Sequence, residues 1–187
     1  MEHSAIKILN RHRIMAISTL RPDGWPQTTI VGYANRGWDI FFMIFRSGQQ
    51  FANIQRDGRV SIAVGDEPSE LNQLQAVYAG ANAVEITDPA ERTEAWRQLM
   101  QRHSSLAGFQ MPDAGEGAIM RARCKYVSVL DYSQGPGHRE QLTLDDKGMR
   151  DLLLLAIHRK VQGRCLWNPG NIPDPHAPPH PSPHQMR

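Results

Sequence analysis

The sequence has little that would stabilise it covalently or hold it in a membrane. It contains only two cysteines, Cys124 and Cys165, too few and too irregularly placed for a disulfide framework or a zinc site. Its longer apolar runs, such as residues 152–157, are far shorter than the roughly 20 residues of a membrane helix. No basic leader followed by a long apolar core opens the chain. We therefore expect a soluble, cytoplasmic protein with reduced thiols.

The sequence also lacks an excess of charge of either sign. Its 21 basic residues are nearly balanced by 19 acidic ones, and the basic residues are scattered singly. Nucleic-acid-binding domains concentrate lysine and arginine on one surface, so this pattern predicts no nucleic-acid partner. The length of 187 residues is enough to bury a hydrophobic core in a single domain.

The patterning along the chain predicts mainly strands. A short helix over residues 2–10 precedes the strands, and a helix from Pro89 to about Arg102 follows the capping residue Asp88. Another short helix is expected over residues 48–56, and Gly80 predicts a bulge or bend in a long strand. The predicted strands cover residues 13–20, 27–34, 38–45, 60–64, 74–87 and 122–132.

Six strands joined mostly by tight turns indicate a mainly β, α+β fold: an antiparallel barrel with peripheral helices. A parallel sheet would need a helix after nearly every strand. We place the barrel domain at residues 1–138, a C-terminal helical extension at 139–163 and a tail at 164–187. The last 20 residues hold 7 of the 13 prolines, so we expect this tail to be extended or disordered.

Three histidines in the tail, His176, His180 and His184, recur every four residues. In a proline-rich segment this spacing does not stack them as it would on a helix, and no cysteine or carboxylate fixes a coordination geometry. Weak nickel or zinc binding is the alternative, but we predict no metal site.

The start of the second helix, residues 46–50 (RSGQQ), is a candidate anion site. A helix start offers unpaired backbone N–H groups, and Arg46 and Ser47 would add a charged and a neutral donor. In the alternative interpretation, Ser47 caps a surface helix and Arg46 is solvated. The pentad alone does not separate these two possibilities.

A longer arrangement is more specific. It comprises the strand 14–19, the turn PDGWPQ, the strand TTIVGYA, an aromatic third strand, the helix SGQQFANI, the strand DGRV and the segment QAVYAGANAVEITDP. This order resembles the flavin-binding split barrel of the pyridoxamine 5'-phosphate oxidase superfamily over about residues 5–133. The resemblance implies a six-stranded antiparallel split β-barrel of the FMN-binding type, with FMN at a homodimer interface.

The resemblance also implies which residues contact the cofactor. The second strand would contribute Gln27, Thr28 and Thr29, and the edge of the third strand would contribute Ile44. The phosphate turn would consist of Arg46, Ser47, Gln49 and Gln50. Gln75 matches a glutamine that members of the family point at the flavin, although a polar residue at a strand start can equally be solvated.

This sequence departs from the family pattern at the phosphate turn. Gly48 and Gln50 stand where the family often has serine and lysine, and Gln27 stands where the enzyme itself has a basic residue. Replacing an ammonium by an amide should weaken FMN binding by about 1–3 kcal/mol. The arginine and histidine signature for pyridoxal phosphate near the C-terminus is not recognisable.

The resemblance predicts a homodimeric flavoprotein that acts as an oxidoreductase on a small-molecule substrate. Deazaflavin, FAD or haem are alternative cofactors, and a non-catalytic binding or stress-response protein is an alternative role. No catalytic acid or base stands out in the sequence. The aromatic residues 38–45 are expected in the core rather than as a flavin platform, and Cys124 is expected to be a small buried residue.

Overall fold

The computed structural model describes residues 2–106 and 108–144. Three helices are present in this part of the chain: α1 (Glu2–Arg11), α2 (Gln49–Arg56) and α3 (Pro89–Arg102). The strands are β1 (Ile14–Leu20), β2 (Pro26–Arg36), β3 (Asp39–Phe45), β4 (Arg59–Gly65), β5 (Gln75–Glu85), β6 (Gly117–Asp131) and β7 (Arg139–Thr143).

The strands form one antiparallel sheet in the order β3-β2-β1-β4-β5-β6-β7, and a further pairing between β3 and β6 closes six of them into a barrel. Strand β6, 15 residues long, pairs with β3 over its first half and with β7 over its second half. The predicted six-stranded antiparallel barrel is therefore confirmed, with β7 as an extra strand.

The core fills the barrel because inward positions along the strands carry large apolar side chains. Ile17, Phe42, Ile62 and Met120 are almost completely buried. Helix α1 adds three buried apolar residues, and the Tyr33 hydroxyl donates a hydrogen bond to the carbonyl of one of them, Leu9, at 2.7 Å. Desolvation raises the pKa of Tyr33 to about 12, since the phenolate would be buried.

Two local signals act as the sequence predicts. The Asp88 carboxylate accepts a hydrogen bond from the Glu91 amide at 2.8 Å and caps α3, while Pro89 occupies the first helical position. The pairing of β5 with β6 shifts register between Gly80 and Ala81, which is the predicted bulge.

Other boundaries differ from the predictions. Strand β2 continues to Arg36, and its turn to β3 is made at Gly37, whose φ of 58° suits glycine. The extension predicted from residue 139 begins with β7 and not with a helix, because the exposed edge of β6 pairs with this segment. Residues 145–187, which include most of the predicted helix and the tail, lie outside the described residues. Within the described part, no helix is long and apolar enough to span a membrane.

Candidate functional site

The barrel is split where β2 and β3 diverge. The two strands pair only between residues 33–36 and 39–42. Residues 26–32 of β2 remain paired to β1, and residues 43–45 of β3 remain paired to β6. The facing edges of these two segments, which we call the split, therefore expose backbone donors and acceptors that have no strand partner.

Helix α2 lies beside the split and is attached to it by a buried amide. Asn53 is fully buried, and its Nδ2 donates to Thr19 Oγ1 and to Gln27 Oε1 at 3.0 Å each. Its Oδ1 accepts from Gln49 Nε2 at 2.9 Å. Gln27 and Gln49, two of the predicted site residues, are thus joined through Asn53 in one hydrogen-bond network.

Two other predicted site residues carry buried polar atoms without partners. Thr29 Oγ1 and Gln50 Nε2 are both buried, and neither has a hydrogen-bond partner among the described residues. Gln50 lies on the same face of α2 as Asn53, and Thr29 lies two residues beyond Gln27 on the same face of β2. A buried polar group without a partner costs about 1–3 kcal/mol, so each of these atoms calls for a partner that the described residues do not supply.

The turn before α2 leaves several backbone amides available. Gly48 is the N-cap of the helix, and no side chain caps it. Ser47 is therefore not the cap, because it lies one residue too early. In the described structure, the amides of Ser47, Gln49 and Gln50 have no backbone acceptor, whereas the Arg46 amide donates to the Glu116 carbonyl at 2.9 Å.

The Arg46 side chain is already engaged. Its Nη2 forms an ion pair with Glu85, and its Nε donates to the Ala114 carbonyl at 2.6 Å. The guanidinium also lies 4.9 Å from the centre of the Phe51 ring. These contacts, together with the hydrogen bonds that buried Arg92 donates to the Pro112 and Gly117 carbonyls at 3.0 Å, attach the segment 112–117 to the barrel.

Two predicted contact residues do not present their side chains to the split of their own chain. The Ile44 side chain is only 6% exposed and belongs to the core, so only its backbone could meet a cofactor. Gly80 on β5 lies level with Thr28 on β2 across the sheet. Gln75 lies five residues along β5 from Gly80, so Gln75 and Thr28 are about 17 Å apart along the strand direction. Gln75 instead forms a hydrogen bond with Asp131. Desolvation raises the pKa of Asp131, but the hydrogen bonds from Ser133 and Gln75 have the larger combined effect, so the pKa is lowered.

Two neighbouring rows of outward-facing residues cross five strands without a charged side chain, and we call these two rows the outer face. Ile30 and Tyr126 on this surface are 64% and 58% exposed. The strand registers place two rows of residues side by side: Ile30, Ala16, Ala63, Tyr78 and Ser128 in one, and Thr28, Ser18, Ser61, Gly80 and Tyr126 in the other. Thr28 points to this face, where its hydroxyl bonds with that of Ser18 at 2.7 Å.

Sequence reasoning missed Asn53 and Thr19, the residues that hold Gln27 in place. The available signal was the spacing of Gln50, Asn53 and Ile54, which puts a polar amide on the buried face of a short helix. The described residues contain no group of three or more metal-ligating side chains. Cys124 is buried as predicted, and desolvation raises the pKa of its thiol to about 12.

A closed antiparallel barrel with a polar split beside a helix start defines the class of split-barrel proteins. The chain belongs to the pyridoxamine 5'-phosphate oxidase family, which it matches over residues 1–131. This match confirms the family resemblance drawn from the sequence. No curated protein matches the chain.

Several solved structures share this fold. A haem-binding protein from Mycobacterium smegmatis is 18% identical with a TM-score of 0.66; the match covers 76% of this chain but only 57% of that protein. An FAD-binding protein from Mesorhizobium loti is 18% identical, with a TM-score of 0.55 and coverage of 68% and 91%. General Stress Protein 26 from Bacillus anthracis is 14% identical, with a TM-score of 0.58 and coverage of 76% and 98%. At these identities the likeness establishes the fold.

Proposed function

We propose that the protein is a homodimeric flavin-binding oxidoreductase that holds FMN or a related flavin in the split. One observation carries the proposal: Thr29 Oγ1 and Gln50 Nε2 are buried without partners on the two elements that border the split. Both belong to residues that the family resemblance assigns to the cofactor. A ligand with carbonyl and imide groups would satisfy these atoms and relieve the cost of burying them.

The polar groups at the split support a flavin ring as the ligand. An isoalloxazine ring carries a carbonyl, an imide N–H and a second carbonyl along one edge, and the unpaired edge of residues 26–32 offers matching backbone groups. The Gln27 amide, which Asn53 holds, and the Thr29 hydroxyl are the side chains positioned to orient the ring. When bound, the flavin would accept a hydride from a small-molecule donor and pass electrons on.

The second copy of the chain would cover the outer face. Ile30, Tyr78 and Tyr126 expose large apolar side chains there, and clustered exposed apolar residues are typical of protein interfaces. A two-fold arrangement would use the same face of both subunits and create two equivalent sites. Because Gln75 is distant from the split of its own chain, we assign its cofactor contact to the site of the partner subunit.

The first test is ligand binding. The freshly purified protein should show a flavin absorption spectrum, and FMN at 100 times its dissociation constant should raise the unfolding free energy by about 2.7 kcal/mol. FAD, deazaflavin and haem are titrated in parallel. Deazaflavin and haem differ from FMN in their absorption spectra, and FAD, which has the same chromophore, is distinguished by the mass of the released ligand. A colourless protein whose melting temperature is changed by no flavin would refute the proposal. A haem spectrum would show that the cofactor is haem and not a flavin.

A substitution at Thr29 tests whether its buried hydroxyl binds the flavin. Thr29→Val removes the hydroxyl but keeps the shape, so it should stabilise the ligand-free protein while it weakens flavin binding about 5- to 30-fold. Thr87→Val, at an exposed position outside the site, is the matched control and should change neither quantity. A Thr29→Val protein with unchanged flavin affinity would contradict the assigned role.

The oxidoreductase part is tested separately by turnover. NAD(P)H oxidation with saturating flavin should exceed the rate of free flavin at the same concentration. Binding without such turnover would leave a flavin-binding protein without this activity, the alternative role predicted from the sequence.

A further inference from the structure

Three arginines at or near helix α2 and the 112–117 segment donate to protein groups. Arg46 pairs with the Glu85 carboxylate, whose side chain is only 15% exposed, and donates to a loop carbonyl. Arg92 is buried and donates to two further carbonyls. Arg56, at the far end of α2, donates to the carbonyls of Leu20 and Arg21 at 2.9 and 2.8 Å.

In the described turn of residues 46–50 the one cationic side chain, Arg46, is therefore already paired with a carboxylate. Gln50 contributes an amide, and the ion pair of Arg46 with Glu85 has no net charge. The free amides of Ser47, Gln49 and Gln50 and the helix dipole remain, but a helix start by itself favours an anion only a few-fold. A flavin held in the split by its ring, as proposed, would find no unpaired cationic side chain of this turn at its charged end.

We infer that the site selects a flavin by its ring and ribityl chain rather than by its phosphate, so that riboflavin binds within about tenfold as tightly as FMN. The inference rests on the proposed function and deepens it, since it defines the ligand class as flavins with or without a charged terminus. Glu85 is then a specificity-determining residue, because its carboxylate keeps Arg46 from binding a phosphate.

The experiment compares the affinities of the protein for riboflavin, FMN and FAD by flavin fluorescence and calorimetry. We expect the ratio of riboflavin to FMN dissociation constants to stay below about 10 and to change little between 50 and 500 mM salt, because few ionic contacts form. A clearly larger ratio in the unaltered protein, or a ratio that falls steeply as salt is added, would overturn the inference.

Variants test whether Glu85 is the reason that the site does not prefer FMN to riboflavin. Glu85→Gln frees Arg46 and should tighten FMN binding at least tenfold while riboflavin binding is unchanged. Gln50→Lys supplies a cation directly and should have the same selective effect. Glu116→Gln is the matched control: it removes a carboxylate of the neighbouring loop that forms no ion pair in the described structure, and should leave the ratio unchanged.

The outcomes separate the two proposals. If both Glu85→Gln and Gln50→Lys leave the riboflavin to FMN ratio unchanged, the turn does not receive the phosphate and the inference fails, while flavin binding stands. If none of the three flavins binds to any of the proteins, the proposed function itself fails, and the inference fails with it.

Discussion

Asn53 should be the residue on which the geometry of the split depends most. Replacing it by alanine removes three side-chain hydrogen bonds, with Thr19, Gln27 and Gln49. Each bond contributes about 0.5–1.5 kcal/mol net, and the Gln27 and Thr19 oxygens lose their donor. We therefore expect Asn53→Ala to lower the unfolding free energy by about 2–4 kcal/mol.

The assay is urea unfolding of the flavin-free protein followed by tryptophan fluorescence. The loss should appear as a lower midpoint at an unchanged m-value, and as a melting temperature lower by roughly 5–15 °C. Gln49→Ala is the control, since Gln49 is exposed and loses a single bond, so it should cost less than about 1 kcal/mol. Equal losses in the two variants, or a loss below 1 kcal/mol for Asn53→Ala, would refute the reasoning.

Three further predictions concern the outer face, the core thiol and the loop. A Cβ on Gly80 would lie 2.1 Å from Tyr126 Cζ, so Gly80→Ala should displace the exposed ring and weaken dimerisation at least tenfold in ultracentrifugation. An unchanged dimer would contradict the assigned interface. In a Cys165→Ser background, burial should keep the Cys124 thiol unreactive toward a thiol reagent at pH 8 until the protein unfolds, and prompt labelling would contradict this. Because the Cys124 pKa rises from 9 to about 12 on folding, stability should fall as the pH rises from 9 to 12, which titrating the unfolding midpoint measures. Arg92→Met loses two bonds to loop carbonyls and should cost about 1–3 kcal/mol and speed proteolysis of the 104–117 loop, whereas an unchanged cleavage rate would contradict its anchoring role.

The sequence predicts the strands and helices well because its strongest signals are local. Capping by Asp88 and the bulge at Gly80 each depend on residues within a few positions, and both are confirmed. The sequence predicts that β2 ends at residue 34, because the polar residues Asn35 and Arg36 precede a glycine and resemble a turn. Pairing with β3 extends the strand to Arg36. Strand β7 was missed because its pairing depends on the free edge of β6, which local patterns do not reveal.

The candidate site was predictable as a location but not as a set of contacts. Gln27, Thr29, Gln49 and Gln50 do border the split. The occupation of Arg46 was not predictable, because its partner Glu85 is 39 residues away along the chain. An ion pair between distant strand ends leaves no periodic signal in a sequence, so only the folded structure reveals that the guanidinium is neutralised.

Closure of the barrel by β3 and β6 has a consequence for synthesis of the chain. Phe45 pairs with Gly117 and Asp39 with Arg123, so 72 to 84 residues separate the partners. As the nascent chain leaves the ribosome, one edge of the mostly apolar strand β3 (DIFFMIF) remains unpaired until β6 has been synthesised. Slow folding is expected for such distant pairings, and overexpression at lower temperature or with chaperones should raise the soluble yield by protecting that edge.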